Sequence, residues 1–94
     1  MIFVINNLKY DTDKMKLISD KCEYQYTGQY TGITFDAEDV RLFKSVKGNW
    51  LLVYKANYSN EIGRALTEEE EAKQLLLNYD LEVYEKLFGK LEEA

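Results

Sequence analysis

Residues Val40 to Asn57 read VRLFKSVKGNWLLVYKAN, two apolar runs carrying aromatic residues on either side of Lys47-Gly48-Asn49. Runs of this kind joined by a short polar break with a central glycine predict a β-hairpin. The stretch holds the only Trp of the chain together with Phe43 and Tyr54, so it supplies much of the bulk from which a core is built. Val40, Leu42 and Val46 fall on one face of the first run, with Phe43 on the other. In the second run Trp50, Leu52, Tyr54 and Ala56 alternate with Leu51, Val53 and Lys55. Both of its faces are apolar, which predicts an interior strand covered on both sides. The C-terminal helices are expected to cover one face and a Tyr-rich repeat the other.

The flanking segments extend this frame. Ile2-Phe3-Val4-Ile5, Asn6-Asn7 and Leu8-Lys9-Tyr10 predict a second hairpin, because Asn tolerates the positive φ that a two-residue turn needs. Asp11-Thr12-Asp13 offers side-chain caps for a helix running to about Lys21. Its apolar positions Met15, Ile18 and Cys22 are spaced i, i+3, i+7, with Leu17 alongside. Gln25-Tyr26-Thr27-Gly28 is then repeated as Gln29-Tyr30-Thr31-Gly32. Two copies are too few for a solenoid and predict a lengthened loop or hairpin, with Tyr24, Tyr26 and Tyr30 on one strand face. Tyrosines so placed serve core packing more often than contact. Asn57 to Gly63 is a loop by composition, and Arg64-Ala65-Leu66 a short edge strand.

Thr67-Glu68-Glu69-Glu70 predicts a helix start, with Thr67 as N-cap and Glu70 closing a capping box. Ala72, Leu75, Leu76 and Tyr79 form its buried stripe. Asp80 is placed to cap a second helix, Leu81 to Phe88, whose face continues through Leu81, Tyr84, Phe88 and Leu91, with Gly89 as its stop. The expected architecture is a single α+β domain over residues 1–94. A small antiparallel sheet of four to five strands carries one short N-terminal helix and one or two C-terminal helices packed on it.

Composition narrows the chemistry. The chain has no His, which removes the commonest general base and metal ligand, and its one Cys, Cys22, leaves no internal disulfide and no thiolate cluster. A lone Cys without a His partner reads as a buried small apolar residue. Asp11 and Asp13 begin like a calcium loop, but the Gly and Glu that the loop requires are missing. No phosphate-binding glycine loop or nucleophile elbow is present. No catalytic residue, metal site or cofactor is therefore expected, and the chain reads as a non-enzyme. It has no apolar run long enough to span a bilayer, and MIFVINN is too short for a signal-peptide core, so a cytoplasmic location is expected.

The net charge of −5 is unevenly distributed. Residues 1–66 hold 9 Lys/Arg against 8 Asp/Glu, whereas residues 67–94 hold 3 Lys against 9 Asp/Glu. The acidic end would repel free duplex DNA and anionic membranes and attract a basic protein surface. Carboxylates on a rigid helix can imitate phosphate spacing, which makes Glu69, Glu70, Glu71, Asp80, Glu82, Glu85, Glu92 and Glu93 candidates for partner binding. The same residues also serve helix capping, an i, i+4 pair between Glu69 and Lys73, and solubility. Tyr26 and Tyr30 are candidates for a second reading, in which the chain self-associates as a dimer through a sheet edge or its Tyr-rich segment. Lys9, Lys14, Lys16 and Lys21, with Arg41, Lys44, Lys47 and Lys55, could contact a phosphate backbone. Asp11, Asp13, Asp20 and Glu23 dilute them, and direct nucleic-acid binding is the weaker expectation.

Several stretches resemble a group of small proteins of phages and other mobile elements of Gram-positive bacteria. These are the N-terminal hairpin running into Lys9-Tyr10-Asp11-Thr12, Leu42-Phe43-Lys44-Ser45 closed by Gly48-Asn49-Trp50, Leu66-Thr67-Glu68-Glu69-Glu70, and Tyr84-Glu85-Lys86-Leu87-Phe88-Gly89. The resemblance covers most of the chain and rests on turns, caps and core aromatics, so it transfers no catalytic residue. It implies a host bacterial cell as the setting and a host protein as the partner. By analogy, it implies an anti-CRISPR-like inhibitor that engages the basic surface of a nucleic-acid-binding defence protein. The alternative is a self-associating adaptor or structural protein of a mobile element with no inhibitory role.

Overall fold

The computed structural model describes residues 1–28, 30–56 and 60–94. Its centre is an antiparallel four-stranded sheet in the order β3-β6-β7-β8, formed by Lys16–Ser19, Glu38–Lys44, Trp50–Ala56 and Asn60–Leu66. Two separate hairpins flank it, β1 (Ile2–Ile5) with β2 (Leu8–Asp11), and β4 (Gln25–Thr27) with β5 (Thr34–Asp36). Helices α1 (Glu69–Tyr79) and α2 (Leu81–Phe88) close the chain.

The β6–β7 hairpin forms as its sequence predicts. Lys44 pairs with Trp50, and Ser45 to Asn49 make the turn, held by Ser45 N–H to Asn49 O at 2.8 Å and Gly48 N–H to Ser45 O at 2.9 Å. Gly48 has φ +91°, which a β-carbon would oppose. Val46 belongs to this turn, not to a strand face, and is 96% exposed. Strand β7 is interior: Leu51, Leu52 and Val53 have no exposed surface. Trp50, Leu52, Tyr54 and Ala56 pack with Val40, Leu42, Leu66, Ala72 and Leu76 on the helix side. On the other side Leu51 and Val53 pack with Phe43 and Tyr10, and with Phe3, Ile5 and Met15 at the edge. The second cover is thus the N-terminal hairpin. The Tyr-rich segment lies on the helix side, where Tyr24 and Tyr26 join the first cluster.

The N-terminal hairpin turns on Asn6 and Asn7, at φ 52° and 64°. No N-terminal helix follows it. Asp11 does cap, its carboxylate accepting from Asp13 N–H at 3.1 Å, but the cap serves one 3-10 turn over Thr12–Lys14. Met15 then returns to extended backbone and β3 pairs with β6, Lys16 opposite Lys44 and Leu17 opposite Phe43. Without β3, strand β6 would be a sheet edge with Leu42 and Phe43 beside open backbone groups; pairing satisfies them. A register shift between Leu17 and Ser19 turns Ser19 inward.

Asn60 to Gly63, expected as loop, belongs to β8, which pairs with β7 from Ala56–Asn60 to Trp50–Leu66. Asn57, Tyr58 and Ser59 of the expected loop lie outside the described residues. An edge strand faces solvent with alternate residues, so polar composition did not prevent ladder formation. At Gly63 the outer surface is closely approached: a β-carbon there would lie 2.7 Å from Phe3 Cγ.

Helix α1 starts one residue later than its capping box implied. Glu68 occupies the N-cap position without a side-chain cap, and Thr67 Oγ1 donates to Glu71 Oε1 at 2.9 Å instead of bonding the helix start. Ala72 and Leu76 are fully buried, Leu75 half-buried and Tyr79 40% exposed, so the stripe is narrower than expected. On α2 the packed face is Val83, Tyr84 and Phe88, whereas Leu81 and Leu91 are exposed. Gly89 stops α2 at φ 99°.

Candidate functional site

A groove of about 660 Å³ lies on the helix side of the sheet. Its floor is apolar, with Val40 and Leu52 from the sheet, Leu66 at the end of β8 and Leu75 from α1. One wall is the segment from Asp20 to Gln25 with Asp36 and Ala37; Ala37 N–H donates to Tyr24 O at 2.8 Å, holding the two ends of the β4–β5 hairpin together. The other wall is α1, from Glu71 to Tyr79.

An aromatic stack builds the first wall. Tyr24 and Tyr54 lie 4.8 Å apart between ring centroids, Tyr26 and Tyr54 6.0 Å, and Tyr26 and Phe35 5.6 Å. Such tilted and stacked pairs contribute about 0.5–1.5 kcal/mol each beyond burial, enough to seat a short hairpin on the sheet. Tyr26 is therefore a packing residue. Tyr30, its counterpart in the repeat, is 95% exposed. The expectation that Tyr24, Tyr26 and Tyr30 share one face fails because Tyr30 falls with Thr31 in the turn.

Charge at the groove is mostly negative. Asp20, Glu23, Asp36, Asp39 and Glu71 line it, with Arg64 as the single cationic side chain. Arg64 reaches in from β8 with its guanidinium 5.7 Å from the Tyr24 ring centroid and Nη1 3.3 Å from Glu71 Oε2. Asp39 is balanced by Arg41 and Lys55, each at 3.6 Å, and Asp36 accepts from Gln25 Nε2 at 2.8 Å. Asp20 and Glu23 have no ion pair among the described residues.

Beneath the groove's end, Ser19 Oγ donates to Asp80 Oδ2 at 2.6 Å and accepts from Lys21 N–H at 3.1 Å. Cys22 lies beside this pair and is 5% exposed. Burial pushes its thiol up from the ordinary value; Asp80 adds to that and a hydrogen bond with Ser19 opposes it. The thiol is neutral at pH 7 and a poor nucleophile. Tyr54 is also raised, first by burial and then by Tyr24, with Arg64 opposing. Among the described residues, no three His, Cys, Asp or Glu side chains are gathered closely enough to hold a metal ion. What the groove presents is carboxylate acceptors and tyrosine rings over an apolar floor, a surface suited to cationic side chains with aliphatic stems.

The acidic residues singled out in the sequence are dispersed. Glu69 pairs with Lys73 at 3.9 Å, Glu70 accepts from Gln74 at 3.2 Å, and Glu85 accepts from Leu91 N–H at 3.0 Å. Asp80 is 6% exposed and turned toward Ser19, so its carboxylate is not part of the outer surface and does not cap α2. Glu82, Glu92 and Glu93 are exposed and unpaired among the described residues. Only Glu71 lines the groove. Asp20, Glu23, Asp36 and Arg64 carried no sequence signal as a group, since they come from three separate segments that only the fold brings together.

Comparison with known proteins finds no matching family model, no similar curated protein and no similar solved structure. No described helix is long and apolar enough to cross a membrane.

Proposed function

We propose that the chain is a non-enzymatic binding protein that receives a basic surface of another protein in its acidic groove. The observation that carries this reading is the convergence of Asp20, Glu23 and Asp36 with Glu71 around one apolar floor. Arginine or lysine side chains of a partner would lay their stems on Leu75 and Leu52 and their charged ends on the rim carboxylates. Residues resembling small mobile-element proteins favour a host protein as that partner, and its basic groove would be a nucleic-acid-binding one. In this reading the chain is an acidic, anti-CRISPR-like inhibitor acting inside the bacterial cell by competition for that groove.

The test is affinity capture from a bacterial lysate at low salt, with the wild-type chain and an Asp20→Lys/Glu23→Lys variant as baits. A basic, nucleic-acid-handling protein retained by the first bait and lost by the second supports the reading. Recovery of the same proteins by both baits refutes the groove as the interface.

A second reading, self-association without inhibition, is favoured by the outer edge of β3, which has no neighbouring strand among the described residues, and by the exposed Tyr30. Light scattering behind size exclusion separates the two: a salt-independent dimer disrupted by Tyr30→Ser or by a proline at Leu17 supports self-association, and a monomer excludes it.

A further inference from the structure

Four cationic residues of the sheet and α1 are paired with carboxylates: Arg41 with Glu61 and Asp39, Lys55 with Asp39, Arg64 with Glu71, and Lys73 with Glu69. At the β6–β7 turn the pattern reverses. Lys9, Lys14 and Lys47 surround one shallow depression there, and Lys14, Lys16 and Lys44 the adjoining one. None of these lysines has an ion pair among the described residues. Lys16 and Lys44 even stand directly opposite each other on paired strands, an arrangement that costs stability. Asp11 lines the first depression, where it accepts from Asp13 N–H, and Asp13 lines the second, 3.9 Å from the N-terminal amine, so five lysines stand against two carboxylates.

Aliphatic side chains stand among these lysines. Val46, 96% exposed, lines both depressions between Lys44 and Lys47, and Leu8, 50% exposed, lines one of them beside Lys9. Aromatic rings at this end are withdrawn: Tyr10 is 8% exposed and Trp50 3%, the latter under the Lys44 ammonium at 5.0 Å. A nucleic-acid strand would use exposed rings for stacking and gain nothing from a projecting valine. A lipid headgroup layer uses lysines and aliphatic knobs together.

We propose that the lysine-rich β6–β7 turn docks on an anionic lipid surface, with the ammonium groups on headgroup phosphates and Val46 entering the interface. Net negative charge does not prevent this, because the field of exposed charges decays over about 8 Å at physiological ionic strength, and none of the groove's carboxylates lines either depression of the lysine turn.

Co-sedimentation of the whole chain with phosphatidylcholine vesicles, with and without phosphatidylglycerol, tests the proposal. Binding is expected only with the anionic lipid, weakened by salt. Lys14→Glu/Lys47→Glu should lower partitioning by at least about five-fold per lysine, and Val46→Ser by roughly ten-fold. Val46 is solvent-exposed, so its replacement leaves the fold intact, and a circular-dichroism melt verifies this for each variant. Lys86→Glu/Lys90→Glu, at the other end of the chain, should leave binding unchanged. Three results overturn the proposal: no vesicle binding at low salt, vesicle binding that Val46→Ser leaves intact, or binding to a duplex oligonucleotide without binding to vesicles.

Discussion

Ser19 and Asp80 are 61 residues apart in sequence and joined by a 2.6 Å hydrogen bond in the interior. Ser19 ends the edge strand β3, and Asp80 is the single residue between α1 and α2. The bond therefore ties the sheet edge to the helix junction. Ser19→Ala is expected to cost about 2 kcal/mol, because it leaves a buried carboxylate short of a donor. For a domain of this size that lowers the melting temperature by roughly 8–16 °C. Pairing it with Asp80→Leu should cost less than the two single changes added together, since the double variant removes the carboxylate along with its donor and leaves only the Lys21 N–H, at an exposed residue, to find water. Urea titrations of the three variants measure this; strict additivity would mean the bond is not a coupled pair.

Gly63 and Phe3 give a steric prediction. A β-carbon on Gly63 would meet Phe3 Cγ at 2.7 Å and Cδ1 at 2.8 Å, too near the ring's root for a simple side-chain swing. Gly63→Ala should destabilise by about 1–3 kcal/mol and loosen the N-terminal hairpin before the rest unfolds. Amide exchange is the measurement: protection at Phe3 and Tyr10 should drop more than at Leu52. In a Phe3→Ala background the same change should be nearly neutral.

Cys22 should react slowly. Its burial, and a thiol held above the ordinary value, predict that an aromatic disulfide reagent labels the native chain far more slowly than the urea-unfolded chain at the same pH. Equal rates would show that the Ser19–Asp80 corner opens freely.

Tyr54 sets an alkaline limit. Its hydroxyl is raised in the folded chain above the ordinary value of about 10, so the folded state holds this proton more tightly than the unfolded state. The resulting stability is complete below that ordinary value and disappears as pH rises through the higher folded value. Denaturant midpoints measured from pH 8 upward should fall beyond about pH 10, and Tyr54→Phe should flatten the decline. A Tyr54→Phe curve parallel to wild type would assign the loss to other groups.

Local chemistry made much of the fold legible. The Asn6-Asn7 turn, the glycine at 48, the two-faced β7 run and the extent of α2 follow from φ preferences and side-chain alternation over a few residues. Strand β3 did not, because Met15, Ile18 and Cys22 fit a helical spacing while the four residues Lys16–Ser19 fit a strand equally well. The choice is made from outside the segment, by the open side of β6. The groove was illegible for a related reason. Its carboxylates are spread from Asp20 to Glu71 among cations that fold elsewhere, so charge counted along the chain is near balance where charge in space is not.

The repeated QYTG unit adds a consequence at the level of heredity. Thr27 pairs with Thr34, and the repeat occupies most of the six residues between them. Removing either copy yields the same shortened chain, in which Gly and Ile33 alone would connect the paired threonines. That is a two-residue connection of the Gly-X kind that antiparallel strands favour. Four residues is also an even step, so every side chain of β4 would keep its face and a tyrosine would still occupy the seat against Tyr54. Duplicated coding units are prone to gain and loss during copying, and here either event leaves the packed ring undisturbed while the outer tip grows or shrinks. Loss of one copy is thus expected to shorten only the tip and to leave the ring packed on Tyr54 in place.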